Sequence, residues 1–334
     1  MVTMNDVAKL ANVSTATVSR VLRNPETVKK ETQEKVFSVI RQLDYTPNML
    51  ARQFRTSETK TIMVVIPSLT NLVFSEIIAG IDEVATAAGY QVIFGNTNKD
   101  PGKAQEYINH LKQKQVDGVI LLTVRLDRHI WEEIADQYPI ILASDFIEGL
   151  KIPTVSTDNL NCGYEATQHL IQLGHTKIAH VTGSPEVAVS RERVKGYKKA
   201  LEKNGINFDP SLFLEGDYTI SFGAASLVKL MKGPNKPTAI FFGNDEMAIG
   251  GMKAAKDLGL KIPEDIAIIG FDDIKFSAVS NPPLTTTAQP LQEMGKKSMD
   301  LLLKLMNGEK LEQDIYIIES KFKIRDSCGY YLRK

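Results

Sequence analysis

Cysteine is scarce in this chain: 334 residues hold two, Cys162 and Cys328, far apart in sequence. That supply excludes a disulfide scaffold and points to a reducing compartment. Apolar residues never run on for the roughly 18 needed to cross a bilayer. The first residues lack the apolar stretch of a secretory leader. A cytoplasmic protein with no membrane partner is the expectation. Also missing are the G-x-x-x-x-G-K-[ST] phosphate loop, a G-x-G-x-x-G after a strand, H-E-x-x-H and C-x-x-C. His175 and His180 flank a strand-like run instead of sharing a helix face. His175 reads as a turn residue and His180 as core or edge, so no metal, cofactor or catalytic residue is expected. The single tryptophan, Trp131, reads as packing for a helix.

Net charge is absent too, with 40 Lys/Arg against 40 Asp/Glu, but the balance is uneven along the chain. Residues 1–60 hold ten basic and six acidic side chains, net +4, and the remainder hold 30 and 34, net −4. A basic module on a mildly acidic body suits nucleic-acid contact at one end only.

That basic end has a clear pattern. Residues 5–22 carry two short helical stripes, Val7, Leu10 and Ala11, then Val18, Val21 and Leu22, broken at 12–14. Thr3 with Asp6 fits a capping box, and Ser14 is a good N-cap for the second helix. Residues 31–43 supply a third stripe, Val36, Val39, Ile40 and Leu43. Three short helices that can bury their stripes only against one another make a helix-turn-helix. With its stripe turned inward, the second helix presents Ala16, Ser19, Arg20 and Arg23 outward, with Thr15 and Thr17 at the edges. Small residues allow close approach to a groove, hydroxyls reach base edges, and a guanidinium fork fits guanine or phosphate. On geometry alone, an ordinary solvated face is equally open.

From residue 61 onward, strand-like runs at 62–67, 91–95, 118–122, 140–144, 177–182, 212–215, 239–243 and 266–271 alternate with helical patterns at 74–88, 101–114, 160–173, 191–204 and 246–258. Gly89, Gly174, Gly205 and Gly259 stand where C-caps belong. This alternation predicts parallel, doubly wound sheets, and the length favours two lobes. Ligands in such folds bind beyond the carboxyl ends of strands. The polar and aromatic residues that follow predicted strands are therefore the candidates: Ser68, Phe74, Asp145, Arg193, Tyr218, Asn244, Asp272 and Gln289. Carboxylates, amides and an arginine fork suit hydroxyls, and aromatic faces stack on a sugar or base. Asp245 could equally cap a helix, Asp273 could serve only its turn, and Arg191 could be solvated. The heptad-like stretch 294–305 is too short for an oligomerising coiled coil. Residues after 327 read as a frayed tail.

The run N-D-V-A-K-L-A-N-V-S-T-A-T-V-S-R-V-L at 5–22, then Asn24–Pro25 and Y-T-P-N at 45–48, resembles the headpiece of the lactose/galactose repressor (LacI/GalR) family. The similarity extends over essentially the whole chain and is greatest to the cytidine-repressor (CytR-type) branch. The resemblance implies an all-α headpiece at 1–47, a hinge helix and linker at 48–60, and an effector-binding, dimerising body at 61–334 like a periplasmic sugar-binding protein. It implies an N-lobe of about 61–158 and 284–314 and a C-lobe of about 159–283 and 315–330. A homodimer would set two recognition helices on near-palindromic double-stranded operator DNA, with Thr3 and Ser14 joining the DNA-facing set. Hinge positions Asn48, Leu50, Ala51 and Arg52 match the family, but Phe54 stands where the family inserts a leucine into the minor groove. An aromatic wedge can still unstack a base step. In the family, positions matching Arg193, Asn244, Asp272 and Gln289 contact the inducer or corepressor, and those matching Phe74 and Tyr218 pack on it. The implied effector is a sugar, sugar phosphate or nucleoside. The competing expectation is a cytoplasmic sugar-binding protein that uses its head as an interaction module.

Overall fold

The computed structural model describes residues 2–46, 58–122, 126–135 and 137–333, and the chain divides after Thr59 into two units. The first is built from α1 (Met4–Ala11), α2 (Thr15–Arg23) and α3 (Lys30–Gln42). The Thr3 hydroxyl accepts from the Asp6 amide at 3.4 Å, and the Asp6 carboxylate accepts from the Thr3 amide at 2.9 Å, closing the predicted capping box. Asn12, in the left-handed region at φ 53°, ends α1 and reverses the chain. Val7, Ala8, Ala11, Val18, Val21, Val36, Val39 and Tyr45 form the core. Each fully buried valine contributes about 1.5–3 kcal/mol, little enough that so small a unit has no spare apolar surface. One expectation fails here. Leu10 is 52% exposed and Ala8 is buried in its place. The stripe that faces the core is Met4, Val7, Ala8 and Ala11, and at 100° per residue Leu10 lies roughly 110° from its centre. The hinge positions Asn48, Leu50, Ala51, Arg52 and Phe54, and the 47/48 boundary, lie outside the described residues.

The second unit holds two six-stranded sheets. One lobe, the N-lobe, contains β1 (Thr61–Ile66), β2 (Gln91–Asn96), β3 (Gly118–Leu122), β4 (Ile140–Ala143), β5 (Thr154–Ser156) and β11 (Ile315–Ile317), in the order β11-β5-β4-β3-β1-β2 and all parallel. The C-lobe contains β6 (Ile178–Thr182), β7 (Phe213–Glu215), β8 (Ala239–Phe242), β9 (Ala267–Asp272), β10 (Thr285–Ala288) and β12 (Lys321–Lys323), ordered β12-β10-β9-β8-β6-β7, with β12 antiparallel at the edge. Alternate residues of each central strand enter different cores. In β1, Ile62, Val64 and Ile66 pack with α4 (Leu72–Ala87) and α11 (Leu291–Met306), while Met63 and Val65 pack with α5 (Pro101–Lys112) and α6 (Arg128–Ile134). In the C-lobe, α9 (Ile220–Lys232) and α10 (Asp245–Asp257) cover one face, and α7 (Asn159–Gln172) and α8 (Ala188–Lys203) the other. A strand buried on both faces reads as a continuous apolar run, which is why these were the strands visible in sequence. Trp131 is buried in the N-lobe core.

The lobe boundaries at 284 and 315 are corrected. β10 lies in the C-lobe beside β9, so the chain returns to the N-lobe after Ala288; β11 lies in the N-lobe beside β5, so it leaves again after Ile317. β10 is T-T-T-A and has no apolar run to betray it. Two of its three buried hydroxyls are held by partners: Thr286 donates to Asp245 at 2.6 Å and Thr285 to the Arg325 carbonyl at 3.0 Å. The tail after 327 is not frayed at its start. Ser327 and Cys328 are buried, and the Ser327 hydroxyl donates to the Ile268 carbonyl at 2.6 Å while accepting from the Thr285 amide at 2.8 Å.

Candidate functional site

The first candidate surface is the outward face of α2. Ser14 is its N-cap, accepting from the Thr17 amide at 3.0 Å. Val18 and Val21 are fully buried, which fixes the rotation of the helix and turns Thr15, Ala16 and Arg20 to the exterior, with Thr17 and Ser19 half-buried beside them. Arg23 closes the helix. The first turn of α2 has no acidic residue, so its partly positive N-terminus is open to a phosphate. Thr3 is also a cap residue, so both hydroxyls nominated outside α2 already serve helix starts.

The second candidate is a cavity of about 420 Å³ between the lobes of the body. Seven nominated residues line it: Ser68, Phe74, Arg193, Tyr218, Asn244, Asp272 and Gln289. All but Arg193, which stands in the second turn of α8, lie at a strand end or a helix start, where termini leave side chains free to converge. Arg193 is 5% exposed. Its Nε donates to Asn159 Oδ1 at 2.9 Å, its Nη1 to the Gly243 carbonyl at 2.6 Å, and its guanidinium lies 3.6 Å from the centre of the Phe271 ring. Asp272 is equally buried and accepts from Gln289 Nε2 at 2.7 Å. Gln289 Oε1 accepts in turn from the Thr157 hydroxyl at 3.2 Å, a contact that joins two chain crossings. Burial pushes the Asp272 carboxyl up to about 8, against the opposing pull of Arg193. Asn244 caps α10, accepting from the Met247 amide at 3.0 Å, and donates to the Tyr218 carbonyl at 3.2 Å. Ser144, Tyr218 and Asp272, all lining residues, hold φ of 70°, 69° and 117°, strained values that cluster at binding sites.

Asp145 does not share the lining. Its Oδ1 accepts from the Phe146 amide at 3.0 Å and, across the cleft, from the Val189 amide at 3.3 Å, and burial raises its carboxyl to about 6. Asp245 neither caps nor faces the cavity. It is fully buried and accepts from Ser277 at 2.6 Å, Thr286 at 2.6 Å and the Ile274 amide at 3.0 Å, binding α10 to the segment after β9; burial pushes it to about 7. Asp273 does more than serve its turn: it pairs with Arg325 and Lys323, each at 2.6 Å. Arg191 is not merely solvated, since it meets Glu148 of the other lobe at 3.2 Å. His180 is a core residue stacked on Phe241, with Nδ1 2.9 Å from the Phe241 carbonyl, and burial lowers it to about 4. Asn159, Glu246 and Asp217 were not nominated. The only sequence signal for Asn159 was its place in the T-D-N where the lobes part.

A helix-turn-helix unit ahead of a two-lobed α/β body with a polar, ligand-sized cleft defines a ligand-responsive regulator of transcription. Residues 3–48 match the family described as bacterial regulatory proteins, lacI family, and residues 59–326 that described as periplasmic binding proteins and sugar binding domain of LacI family. The chain belongs to the LacI family of bacterial regulatory proteins. It is 39% identical to the HTH-type transcriptional repressor CytR of Escherichia coli (strain K12), over 97% of this chain and 96% of that one. It is 38% identical to catabolite control protein A of Priestia megaterium, over 98% and 99%. The solved Lac repressor dimer bound to operator and an anti-inducer covers 98% of this chain and 99% of its own, with a TM-score of 0.89 at 29% identity. Among the described residues no helix is long and apolar enough to cross a membrane.

Proposed function

We propose that this chain is a cytoplasmic, DNA-associated repressor that binds a near-palindromic operator as a homodimer and is switched by a small polar effector in the cleft. The observation that carries the reading is the convergence of Phe74, Arg193, Tyr218, Asn244, Asp272 and Gln289 from distant stretches of chain on one cavity, in a chain that also carries a helix-turn-helix. The residues proposed to meet DNA are Thr3, Ser14, Thr15, Ala16, Thr17, Ser19, Arg20 and Arg23, with Asn48, Leu50, Ala51, Arg52 and Phe54 in the hinge. Arg20 is the base-reading fork. The effector acts by bridging the lobes. A ligand that binds one lobe angle more tightly than another shifts the population toward it, and operator and effector must then alter each other's affinity by one common factor. The cleft is read as acting by binding, because its polar groups hold one another and the backbone.

The test is selection of duplexes from a random library by the full-length protein, read at two salt concentrations. A near-palindrome should be enriched, with affinity falling steeply as salt rises. Arg20→Ala should keep the salt-dependent background and lose roughly 5- to 150-fold of the preference, the worth of one bidentate base contact. An unchanged preference in that variant would remove α2 from the groove.

A further inference from the structure

The chain crosses between the lobes at 157–158, 289–290 and 318–320, and the lobes also touch outside those crossings, at the loop that follows β4. Ile147 and Leu150 root this loop in the N-lobe core, and the Leu150 amide donates to the Ile147 carbonyl at 3.3 Å. The turn between them presents Glu148, which meets Arg191 Nη2 at 3.2 Å, while Arg191 Nη1 donates to the Pro185 carbonyl at 3.0 Å. Asp145, at the start of the loop, reaches the beginning of the same helix, α8. That helix is short of a cap. Its N-cap position is Val187, whose side chain has no acceptor, so its own lobe supplies no side-chain cap to the first amides. The Val189 amide stands where an N-cap side chain normally accepts. Asp145 takes that place from the opposite lobe: its Oδ1 accepts from the Val189 amide at 3.3 Å and from the Phe146 amide at 3.0 Å. A carboxylate there also meets the positive end of the helix dipole. Val189 is 5% exposed, so its amide has little water to turn to. Ser144, Val187 and Val189 line the cavity, so the contact closes one side of it.

The same contact carries a cost. Burial raises the Asp145 carboxyl from an ordinary 3.8 to about 6, against the opposing pull of the Phe146 and Val189 amides and of Arg191 and Arg193 on α8. Tyr218, ahead of α9, faces it too, with its hydroxyl bonded to Ser190, and Glu148 is the other carboxylate of the loop. At neutral pH the closed lobes therefore hold a desolvated charge that their separation would return to water.

We propose that the loop after β4 is a latch between the lobes, in which an N-lobe carboxylate, Asp145, caps a C-lobe helix and holds the cleft closed through protein groups alone, whatever occupies the cavity. The latch is linked to protons. Between about 4 and about 6 the closed form keeps a proton that the open form releases, so closure is strongest in acid and weakens as pH rises through that range.

The experiment is hydrogen exchange of the Val189 amide in the full chain, with each rate corrected for its intrinsic pH dependence and the amides of β8 as the reference for the fold. In the wild type, opening should be about tenfold rarer at pH 5 than at pH 7, the ratio set by 3.8 in the open form and about 6 in the closed one. Asp145→Ala removes the cap and should speed exchange at Val189 by about 2- to 30-fold at pH 7, with β8 unchanged. Asp145→Asn keeps the accepting oxygen and loses the charge, so Val189 should stay protected and its protection should no longer vary with pH. A wild-type Val189 amide that is unprotected, or protected to the same degree at both pH values, overturns the latch, and so does an alanine variant that exchanges like the wild type. If Asp145→Ala loosens β8 as well, the asparagine variant decides: a pH dependence that survives in it places the titrating group elsewhere and overturns the inference, and its disappearance with Val189 still protected sustains it.

Discussion

The outer face of α2 and the cleft of the body hold polar side chains under opposite conditions. On α2, Thr15, Ala16 and Arg20 stand in solvent on a helix whose rotation is set by two buried valines. In the cleft, Arg193, Asn244 and Asp272 are each no more than 5% exposed and each is already hydrogen-bonded to protein. The first surface costs almost nothing to maintain and can be organised only by a charged partner, so its affinity belongs to salt. The second carries desolvated charge, so it is rigid before any ligand arrives and its behaviour belongs to pH. A regulator needs both: a reader that lets go readily, and a sensor whose geometry is fixed in advance.

The largest effect expected from this contrast is at Arg193. Arg193→Leu removes the donor to Asn159 Oδ1 and to the Gly243 carbonyl, leaving two buried acceptors unpaired. Each buried acceptor left without its charged donor costs about 1–3 kcal/mol, so the pair costs about 2–6 kcal/mol. Urea unfolding of the body should show a loss of that size, together with loss of the effector response. Arg20→Ala, on the exposed face, should change stability by less than about 0.5 kcal/mol. A loss below about 1 kcal/mol for Arg193→Leu would erase the distinction between the two regions.

The two regions should also titrate in opposite directions. Asp272 moves from an ordinary carboxyl near 3.8 to about 8 in the folded body. Between those values the folded chain keeps a proton that the unfolded chain releases, so body stability falls as pH rises from about 4 to about 8 and the loss is complete above that. Asp245, at about 7, and Asp145, at about 6, act in the same direction over the lower part of the range. In the headpiece, hydrogen bonds from Thr3 hold Asp6 below the usual carboxylate range, so its contribution is present at neutral pH and lost in acid. Melting of the two units across pH 5 to 8.5 should show the body weakening upward, and Asp272→Asn should flatten the upper half of that slope. A body whose stability is flat or rising over this range, with the variant parallel to it, would show that the Asp272 environment is wet.

What could be read from sequence follows from the same physics. β1, β3, β8 and β9 are buried on both faces and spell continuous apolar runs, so they were plain. β10 is buried but spells T-T-T-A, with the Thr286 hydroxyl satisfied by Asp245 and the Thr285 hydroxyl by the Arg325 carbonyl, both from far along the chain. No local pattern encodes such partners, so the lobe boundary is not legible there. The crossing of α4 and α11 was hidden for a similar reason. A Cβ on Gly80 would stand 2.1 Å from the Gln292 carbonyl oxygen and one on Gly295 2.0 Å from that of Ile77, a reciprocal close approach that neither helix announces alone. Within the cleft, residues following strand ends were findable, because strand ends converge in this fold. Asn159 was not, since its role lies in holding Arg193 from the neighbouring helix of the same lobe.

The smallest expected effect is at Ser14, where the two regions' rules meet in one side chain. Its hydroxyl caps α2 through the Thr17 amide and also stands exposed at the end of the helix proposed to enter the groove. Ser14→Ala should destabilise the headpiece by about 1 kcal/mol, the usual worth of an N-cap, and that loss alone does not separate a cap from a DNA contact. Ser14→Asp separates them. An aspartate caps as well as serine and gains from the helix dipole, so headpiece melting should be unchanged or slightly raised. If Ser14 faces phosphate, the added negative charge should lower operator affinity while the fold gains. Affinity that tracks stability through both variants would make Ser14 a cap and nothing more, and would move the first DNA contact of α2 on to Thr15.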